Sequence, residues 1–319
     1  MTEHLPARAT DRLMILVAAL LFSTGGAAVK MASLSAWQVA SLRSGVAAVT
    51  LLILLPESRR GWNRKTWLVG SAYATTMITF VVANKLTTAA NAVFLQSVAP
   101  LYLLLLGPLL LHEPIRRRQI YFMAALAAGM LLIFSGAQQV SSTAPDPLRG
   151  NLVGIVTGVG WALTIIGLRW LGGDRAEGSV NSSAASAVVC GNVIACLAAL
   201  PAALPIRGAT PTDWTVVAWL GIFQVAVAYV FIVRGIRRIG ALEASLLILL
   251  EPVLSPLWAW LFHGERPSDL ALLGGAVIVA ATAIYTWFDR TPAATERRKI
   301  RNSEFGIRNS QPPSPGPEE

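Results

Sequence analysis

Residues 89–113 read AANAVFLQSVAPLYLLLLGPLLLHE, and residues 241–265 read ALEASLLILLEPVLSPLWAWLFHGE. The two stretches align without a gap at an offset of 152 and are identical at seven positions. Matches of alanine and leucine are common between apolar segments. A proline followed thirteen residues later by a glutamate is much rarer, and each stretch contains that pair. An internal repeat is therefore the first organising feature of this sequence.

The composition outside the repeat indicates a chain that faces lipid. Charged residues are 13% of the sequence, against about 25% in a typical soluble domain. Hydrophobic residues are 54%, and the mean hydropathy is +0.58. Roughly 20 apolar residues of helix cross a bilayer core of about 30 Å. Ten stretches meet this requirement, and the loops between them are too short to fold as soluble domains. The predicted spans are 13–32, 36–55, 66–84, 88–111, 119–137, 149–170, 182–204, 213–234, 239–262 and 268–287.

The positions of the two repeat stretches divide the ten spans into two halves of five. The first half covers residues 13–137 and the second covers residues 149–288. A repeat with an odd number of spans re-enters the membrane in the opposite orientation. We therefore expect an all-α polytopic membrane protein built from two inverted five-helix repeats, an architecture in which many transporters hold their substrate between the halves near the midplane.

The distribution of charge gives the orientation. The net charge is +9, and a strongly positive net charge is common in nucleic-acid-binding proteins. However, when sides are assigned by alternating across the spans, 20 of the 26 basic residues fall on one side and five on the other, with Arg43 inside a span. This bias follows the positive-inside rule. It predicts a protein of the plasma (inner) membrane whose partner is the lipid bilayer and not nucleic acid. Residues 1–12 and the disordered Pro-rich tail 291–319 should both be cytoplasmic.

Several short motifs resemble a known family. They are Glu251-Pro252-Val253, Trp260 through Arg266, Ala99-Pro100, Leu111-His112-Glu113, Leu20 through Thr24, and Gly160-Trp161-Ala162. In this order, and twice in the chain, they are similar to the EamA repeat of the drug/metabolite transporter superfamily. The resemblance implies ten helices in two inverted repeats, and the transport, often the export, of small metabolites such as amino acids. The chain departs from the pattern at Ala99, since only the second repeat has an acidic residue before its proline.

Two ionisable residues lie inside predicted spans. Glu251 falls near the middle of the ninth span, where it would contact a substrate amine or exchange a proton, or would satisfy polar groups in helix packing. Arg43 falls in the second span. We expect its long side chain either to extend toward the outer surface or to be held by a structural partner; the alternative is a carboxylate, from Glu243 or from a substrate.

The remaining candidates are polar and aromatic residues spread over both halves. Because hydroxyl and amide groups have no partners in lipid, most of them should face the interior, toward a substrate or toward other helices. Phe22 and Trp161 occupy corresponding places in the two halves and would form aromatic walls. A zwitterion would suit this lining, with its amine near Glu251 and its carboxylate at Gln96 or Gln224. The predicted cavity residues are Phe22, Ser23, Tyr73, Thr76, Asn91, Gln96, Trp161, Thr164, Gln224, Tyr229 and Glu251.

Other features indicate structure. Pro100 and Pro252 should kink their helices. Gly154 and Gly158 permit a close helix approach. The six-residue spacing of Cys190 and Cys196 turns them to different faces, so that they cannot form a disulfide with each other. The repeat-related glutamates Glu113 and Glu265 should act as caps or hinge anchors at the ends of their helices.

Known enzyme and cofactor motifs are missing from the sequence. His112 begins an HExxH pattern, but Arg116 stands where the second histidine is needed, and no P-loop or GxSxG motif is present. We therefore predict no metal, no cofactor and no enzymatic activity. The prediction is a secondary transporter, a monomer or homodimer, that exports small amphipathic metabolites such as amino acids by alternating access. The alternatives are a membrane scaffold or lipid scramblase, or an intramembrane enzyme.

Overall fold

Ten helices form the body of the protein. The computed structural model describes residues 4–110, 117–136, 140–172, 182–235 and 241–288. Within them, ten helices are long and apolar enough to cross a membrane, which confirms the predicted all-α polytopic class. They are α1 (Thr10–Met31), α2 (Ala36–Leu54), α3 (Arg64–Leu86), α4 (Ala89–Leu106), α5 (Arg117–Ser135), α6 (Pro147–Leu171), α7 (Ser183–Ala203), α8 (Pro211–Gly235), α9 (Leu246–His263) and α10 (Asp269–Phe288).

The predicted boundaries mostly lie within a few residues of these bounds. At the N-terminus, helix begins at His4, so part of the predicted segment 1–12 continues α1. Glu113, residues 1–3 and the predicted tail 291–319 lie outside the described residues.

Local sequence signals explain where several helices begin. Ser35 precedes α2 and forms a reciprocal capping box with Gln38. Asn63 and Thr66 form a capping box before α3, and Thr210 and Asp213 form one before α8. In each case a side-chain oxygen accepts from a backbone N–H that the first helical turn leaves without a partner.

Four of the ten spans are not continuous α-helices. α1 is interrupted at Thr24, between His4–Ser23 and Gly25–Met31. In α8 a π-helical stretch replaces the regular turns in the middle of the span. α4 and α9 are each interrupted shortly before a proline, at Val98 before Pro100 and at Leu249 before Pro252. The segments of α4 are Ala89–Ser97 and Ala99–Leu110. Those of α8 are Pro211–Ala218, Trp219–Val227 and Ala228–Gly235. Those of α9 are Ala241–Ile248 and Leu250–His263.

The contacts between spans follow the repeat: when two spans pack on each other, their counterparts in the other half pack on each other as well. α3 packs on α6, and the counterparts of these two spans, α8 and α1, pack on each other. The same holds for α3 with α7 and α8 with α2. Three further pairs join a span to its own counterpart, namely α2 with α7, α4 with α9 and α5 with α10. This is the packing pattern that a two-fold relation between the halves produces.

Glycines permit the closest of these contacts. A Cβ atom on Gly158 would lie 2.8 Å from the Leu95 carbonyl oxygen, and one on Gly154 would lie 2.9 Å from the Leu95 side chain. The two glycines of α6 therefore hold it directly against α4, which confirms that they serve packing. Cys190 and Cys196 are both free thiols, as predicted.

Candidate functional site

At the interruption of α1, the hydroxyl groups of Ser23 and Thr24 form hydrogen bonds with both halves of the protein. Ser23 and Thr24 each donate to a backbone carbonyl three residues earlier, at 2.7 Å. The Ser23 hydroxyl accepts from the Trp258 indole N–H at 2.9 Å, and the Thr24 hydroxyl accepts from the Trp219 indole N–H at 3.2 Å. Two tryptophans of the second half thus hold the broken helix of the first half.

Buried oxygens converge beside this interruption. At the position of a Cβ atom on Gly26, Asn84 Oδ1 would be 2.9 Å away and Ser255 Oγ 3.4 Å away. A Cβ on Gly25 would be 2.9 Å from Gln224 Nε2. Asn84 Oδ1, Ser255 Oγ and Gln224 Oε1 have no hydrogen-bond partner among the described residues. We call Ser23, Asn84, Gln224 and Ser255 the helix-break cluster; its free oxygens can accept hydrogen bonds from an ammonium group.

A second cluster surrounds Arg43 in α2. Arg43 is 1% exposed, its Nη2 donates to the Met77 carbonyl at 2.8 Å, and its guanidinium lies 5.6 Å from the centroid of the Phe80 ring. Its Nε has no partner among the described residues. The expectation that Arg43 extends to the outer surface is therefore wrong, because a backbone carbonyl of α3 holds it inside the bundle.

Aromatic side chains lie beside this arginine. Tyr73 lies close to Arg43, to Tyr229 and to Asn192. Tyr73 belongs to a hydrophobic cluster against which Trp161, Tyr229 and Met77 pack. We call Arg43, Tyr73, Trp161, Asn192 and Tyr229 the arginine cluster. It offers one cationic group near Tyr73 and near the hydrophobic cluster against which Trp161 and Tyr229 pack, a combination that suits an anionic group attached to an apolar body.

A buried ion pair joins the halves at one end of the bundle. Lys30 Nζ lies 3.1 Å from Glu265 Oε2, and each side chain is 3% exposed. Glu265 Oε1 accepts from the Ala89 backbone N–H at 2.6 Å, so it caps α4 from outside that helix. Lys30 also donates to the carbonyls of Thr87, at 2.8 Å, and Thr143. We call these five residues the ion-pair network. Glu265 was predicted to act as a cap or anchor at the end of its own helix, whereas its side chain caps the first turn of α4.

Further bonds tie the neighbouring loops to the same face. Lys85 donates to the Ala32 carbonyl at 2.6 Å. Asp213 accepts from the backbone N–H of Ser33 at 2.6 Å and from its hydroxyl at 2.8 Å. The loops that follow α1, α3, α5 and α9 and the start of α8 therefore meet on one face, which is the face that the charge distribution predicts to be external.

The structure distributes the predicted cavity residues over several places. Ser23 and Gln224 lie in the helix-break cluster, while Tyr73, Trp161 and Tyr229 lie in the arginine cluster. Asn91 is in the first turn of α4, where it donates to Asn151 at 3.2 Å beside the ion-pair network. The other members bond within their own helices or are half-buried: the Thr76 hydroxyl donates to Ala72, the Thr164 hydroxyl donates to Gly160, and Phe22, Gln96 and Glu251 are half-buried.

The candidate site also contains residues outside the predicted set. Asn84 and Ser255 are fully buried beside Gly26, and Trp258 bonds to Ser23. Ser255 had a sequence signal, because it follows Glu251 by four residues and so shares its face of the helix. No such signal marked Arg43 as inward-facing. In the described residues, His, Cys, Asp and Glu form no group that could hold a metal ion.

Comparisons with known proteins agree with this architecture. The sequence model of the EamA-like transporter family matches residues 12–135 and 148–287, which are the two halves. A curated relative, the pseudopaline exporter CntI of Pseudomonas aeruginosa (strain UCBPP-PA14), is 24% identical over 280 residues, covering 84% of this chain and 93% of the relative. The uncharacterized transporter YyaM of Bacillus subtilis (strain 168) is 24% identical over 251 residues, covering 75% of this chain and 80% of the relative.

A solved crystal structure shares the fold. It superposes with a TM-score of 0.58 at 22% sequence identity, covering 88% of this chain and 98% of the solved one. At this identity the likeness concerns the fold alone.

Proposed function

The chain belongs to the EamA-like transporter family, and from that premise we propose that it is a secondary transporter that exports small amphipathic metabolites, namely amino acids or related compounds. The substrate binds between the halves, in contact with the helix-break cluster and the arginine cluster. Membership of the family makes it an integral membrane transporter; the substrate class, the direction and the site are the proposal.

The observation that supports the site best is the set of free oxygens at the helix-break cluster. A buried polar atom without a hydrogen bond costs about 1–3 kcal/mol, so such atoms are uncommon, and a bound ligand is one way in which they gain a partner. Here three of them, on Asn84, Gln224 and Ser255, surround a glycine pair at a helix interruption. Interrupted helices at the interface of the halves are where many transporters bind their substrates.

The interruptions also suggest how the halves move. The ion-pair network closes the face predicted to be external, and Lys30 and Glu265 belong to different halves. Opening this face requires the pair to separate, while the two-fold packing pattern permits an equivalent closure at the other face. Alternating access then follows from small rotations at breaks in α1, α4, α8 and α9.

Export is the direction favoured by the relatives. Two proteins named pseudopaline exporters, from two strains of Pseudomonas aeruginosa, cover 84% of this chain. Their name supports export, and it does not identify the substrate at 24% identity.

The test compares accumulation of labelled amino acids in cells with and without the protein, and then flux in sealed vesicles containing the purified protein. We expect lower internal accumulation in expressing cells and a solute that crosses unaltered. Higher internal accumulation would overturn export. A chemically altered solute would indicate an enzyme, and vesicles without flux would indicate a scaffold.

Trp161→Ala tests the site within the same assay. Removing the half-buried Trp161 side chain should lower flux at a given substrate concentration and leave expression and folding largely intact. Trp37→Ala is the matched control, because Trp37 is 43% exposed on the surface of α2. Equal flux in the two variants would show that Trp161 does not contact the substrate.

A further inference from the structure

We propose that Arg43 binds the carboxylate of the transported compound, so that the substrates of this protein are carboxylic acids. The inference rests on the proposed function and adds to it the group that the substrate must carry. It also assigns the binding role to a residue outside the predicted cavity set.

Arg43 carries a buried positive charge. It is 1% exposed, in the middle of a membrane span, and the guanidinium group stays protonated in proteins. Arg43 belongs to neither of the ion pairs Lys30 with Glu265 and Arg149 with Asp146. Its observed partners are the Met77 carbonyl and the Phe80 ring, which carry no net charge. A buried cation is stabilised far better by an anion, and an ionisable residue at this depth is a candidate functional residue.

The guanidinium of Arg43 also has a free hydrogen-bond donor. Arg43 Nη2 is used by the Met77 carbonyl, which fixes the orientation of the planar group. Arg43 Nε has no partner among the described residues. A carboxylate is the acceptor that matches a guanidinium edge, because its two oxygens can take two parallel N–H bonds.

Aromatic and polar residues of the same region can hold the rest of the substrate. Tyr73 lies near Arg43, and Trp161 and Tyr229 pack against the hydrophobic cluster that contains Tyr73, so that aromatic surface is available for an apolar part. α8 packs against the backbone of α2 at Arg43: a Cβ on Gly221 would be 2.8 Å from the Arg43 carbonyl oxygen, and Gln224 of the helix-break cluster follows three residues later. We expect a zwitterion to bind with its carboxylate on Arg43 and its ammonium group on the free oxygens of Asn84, Gln224 and Ser255.

The experiment measures exchange of labelled phenylalanine across vesicles that contain the full-length protein. Unlabelled phenylalanine and phenylalaninamide are added as competitors; they differ only in that the amide lacks the carboxylate. We expect phenylalaninamide to compete about 30-fold less well than phenylalanine, the effect of removing one partner of a buried charge pair. In Arg43→Gln this difference should disappear, and in Arg43→Lys it should be partly retained, since the charge remains but the planar fork is lost.

Two variants serve as controls. Arg149→Gln removes a side chain that is 80% exposed and should discriminate like the wild type. Glu243→Gln removes the carboxylate that is the alternative partner of Arg43, and it too should retain the discrimination.

The outcomes separate this inference from the proposed function. Wild-type vesicles that exchange phenylalanine but accept the amide equally well overturn the role of Arg43 and leave transport standing. Discrimination that survives in Arg43→Gln, or that is lost in Glu243→Gln as well, does the same. Vesicles that exchange no phenylalanine refute the proposed function for this substrate class, and the inference with it. If Arg43→Gln does not fold, the wild-type comparison and Arg43→Lys decide.

Discussion

Lys30 is a buried cation paired with an opposite charge, whereas Arg43 is a buried cation held by neutral groups, and the two situations respond differently to neutralisation. Lys30 and Glu265 form a pair, and each also bonds to the backbone. Removing one partner leaves the other charge buried and alone, which costs about 3–5 kcal/mol. We expect Lys30→Met and Glu265→Gln each to lower the stability of the purified protein by such an amount, and the double variant to recover part of the loss. Thermal unfolding in detergent measures this.

An exposed pair provides the control for that cycle. Arg149 and Asp146 lie 3.3 Å apart with side chains 80% and 37% exposed, so that neutralising either should change stability by no more than about 1 kcal/mol. Equal effects at the two pairs would show that Lys30 and Glu265 contribute no more than a surface pair.

Glu251 carries a separate prediction about coupling. It is half-buried, directly before Pro252 in the first turn of its helical segment. Glu251→Gln keeps the shape and removes the titratable group. If this carboxyl exchanges a proton during transport, flux in the variant should no longer respond to an imposed pH gradient, while the wild type does. Flux assayed at several internal and external pH values tests this. An unchanged pH response would assign Glu251 a packing role.

Among the helices, close packing at glycine is the feature with the clearest consequence. Gly158 holds α6 against the backbone of α4 at Leu95. Gly158→Leu forces the two helices apart, and overpacking of this kind costs about 1–3 kcal/mol or more. We expect reduced thermal stability and lower yield of folded protein. Val156→Leu is the control, because Val156 is 46% exposed on the same helix and its replacement should change stability by less than about 0.5 kcal/mol.

The helices also show what sequence can and cannot predict. Ten spans were predictable because length and apolarity alone define them. Pro100 and Pro252 carried a signal for the breaks that precede them. The break at Thr24 and the π-helical stretch Trp219–Val227 were not predicted: the pair Gly25-Gly26 was the only local signal at the first, and the hydroxyls of Ser23 and Thr24 there bond to indoles far away in the chain, those of Trp258 and Trp219. Arg43 was ambiguous for the same reason: its stem reaches water or the Met77 carbonyl equally well, and only packing decides.

For the whole molecule, the orientation in the membrane is the principal prediction. The distribution of basic residues predicts that both ends of the chain lie in the cytoplasm. Reporters fused after Arg64 and after Arg290 should therefore both be cytoplasmic, and one inserted at 144–147 should be external. Paired activity and fluorescence reporters in intact cells measure this. A cytoplasmic signal from 144–147 would contradict an odd number of spans in the first half, and with it the inverted relation between the repeats.

The pairing of α2 with α7, α4 with α9 and α5 with α10 has a consequence for how such a chain can originate. Each of these contacts joins a span to its own counterpart. In a shorter ancestor with one half only, they would be contacts between two copies of the same helix, as at any two-fold dimer interface. A gene for one five-span half would thus encode a protein that assembles only if some copies insert in each direction. Duplication and fusion would fix one copy in each direction, after which the two could diverge, as Ala99 and Glu251 have.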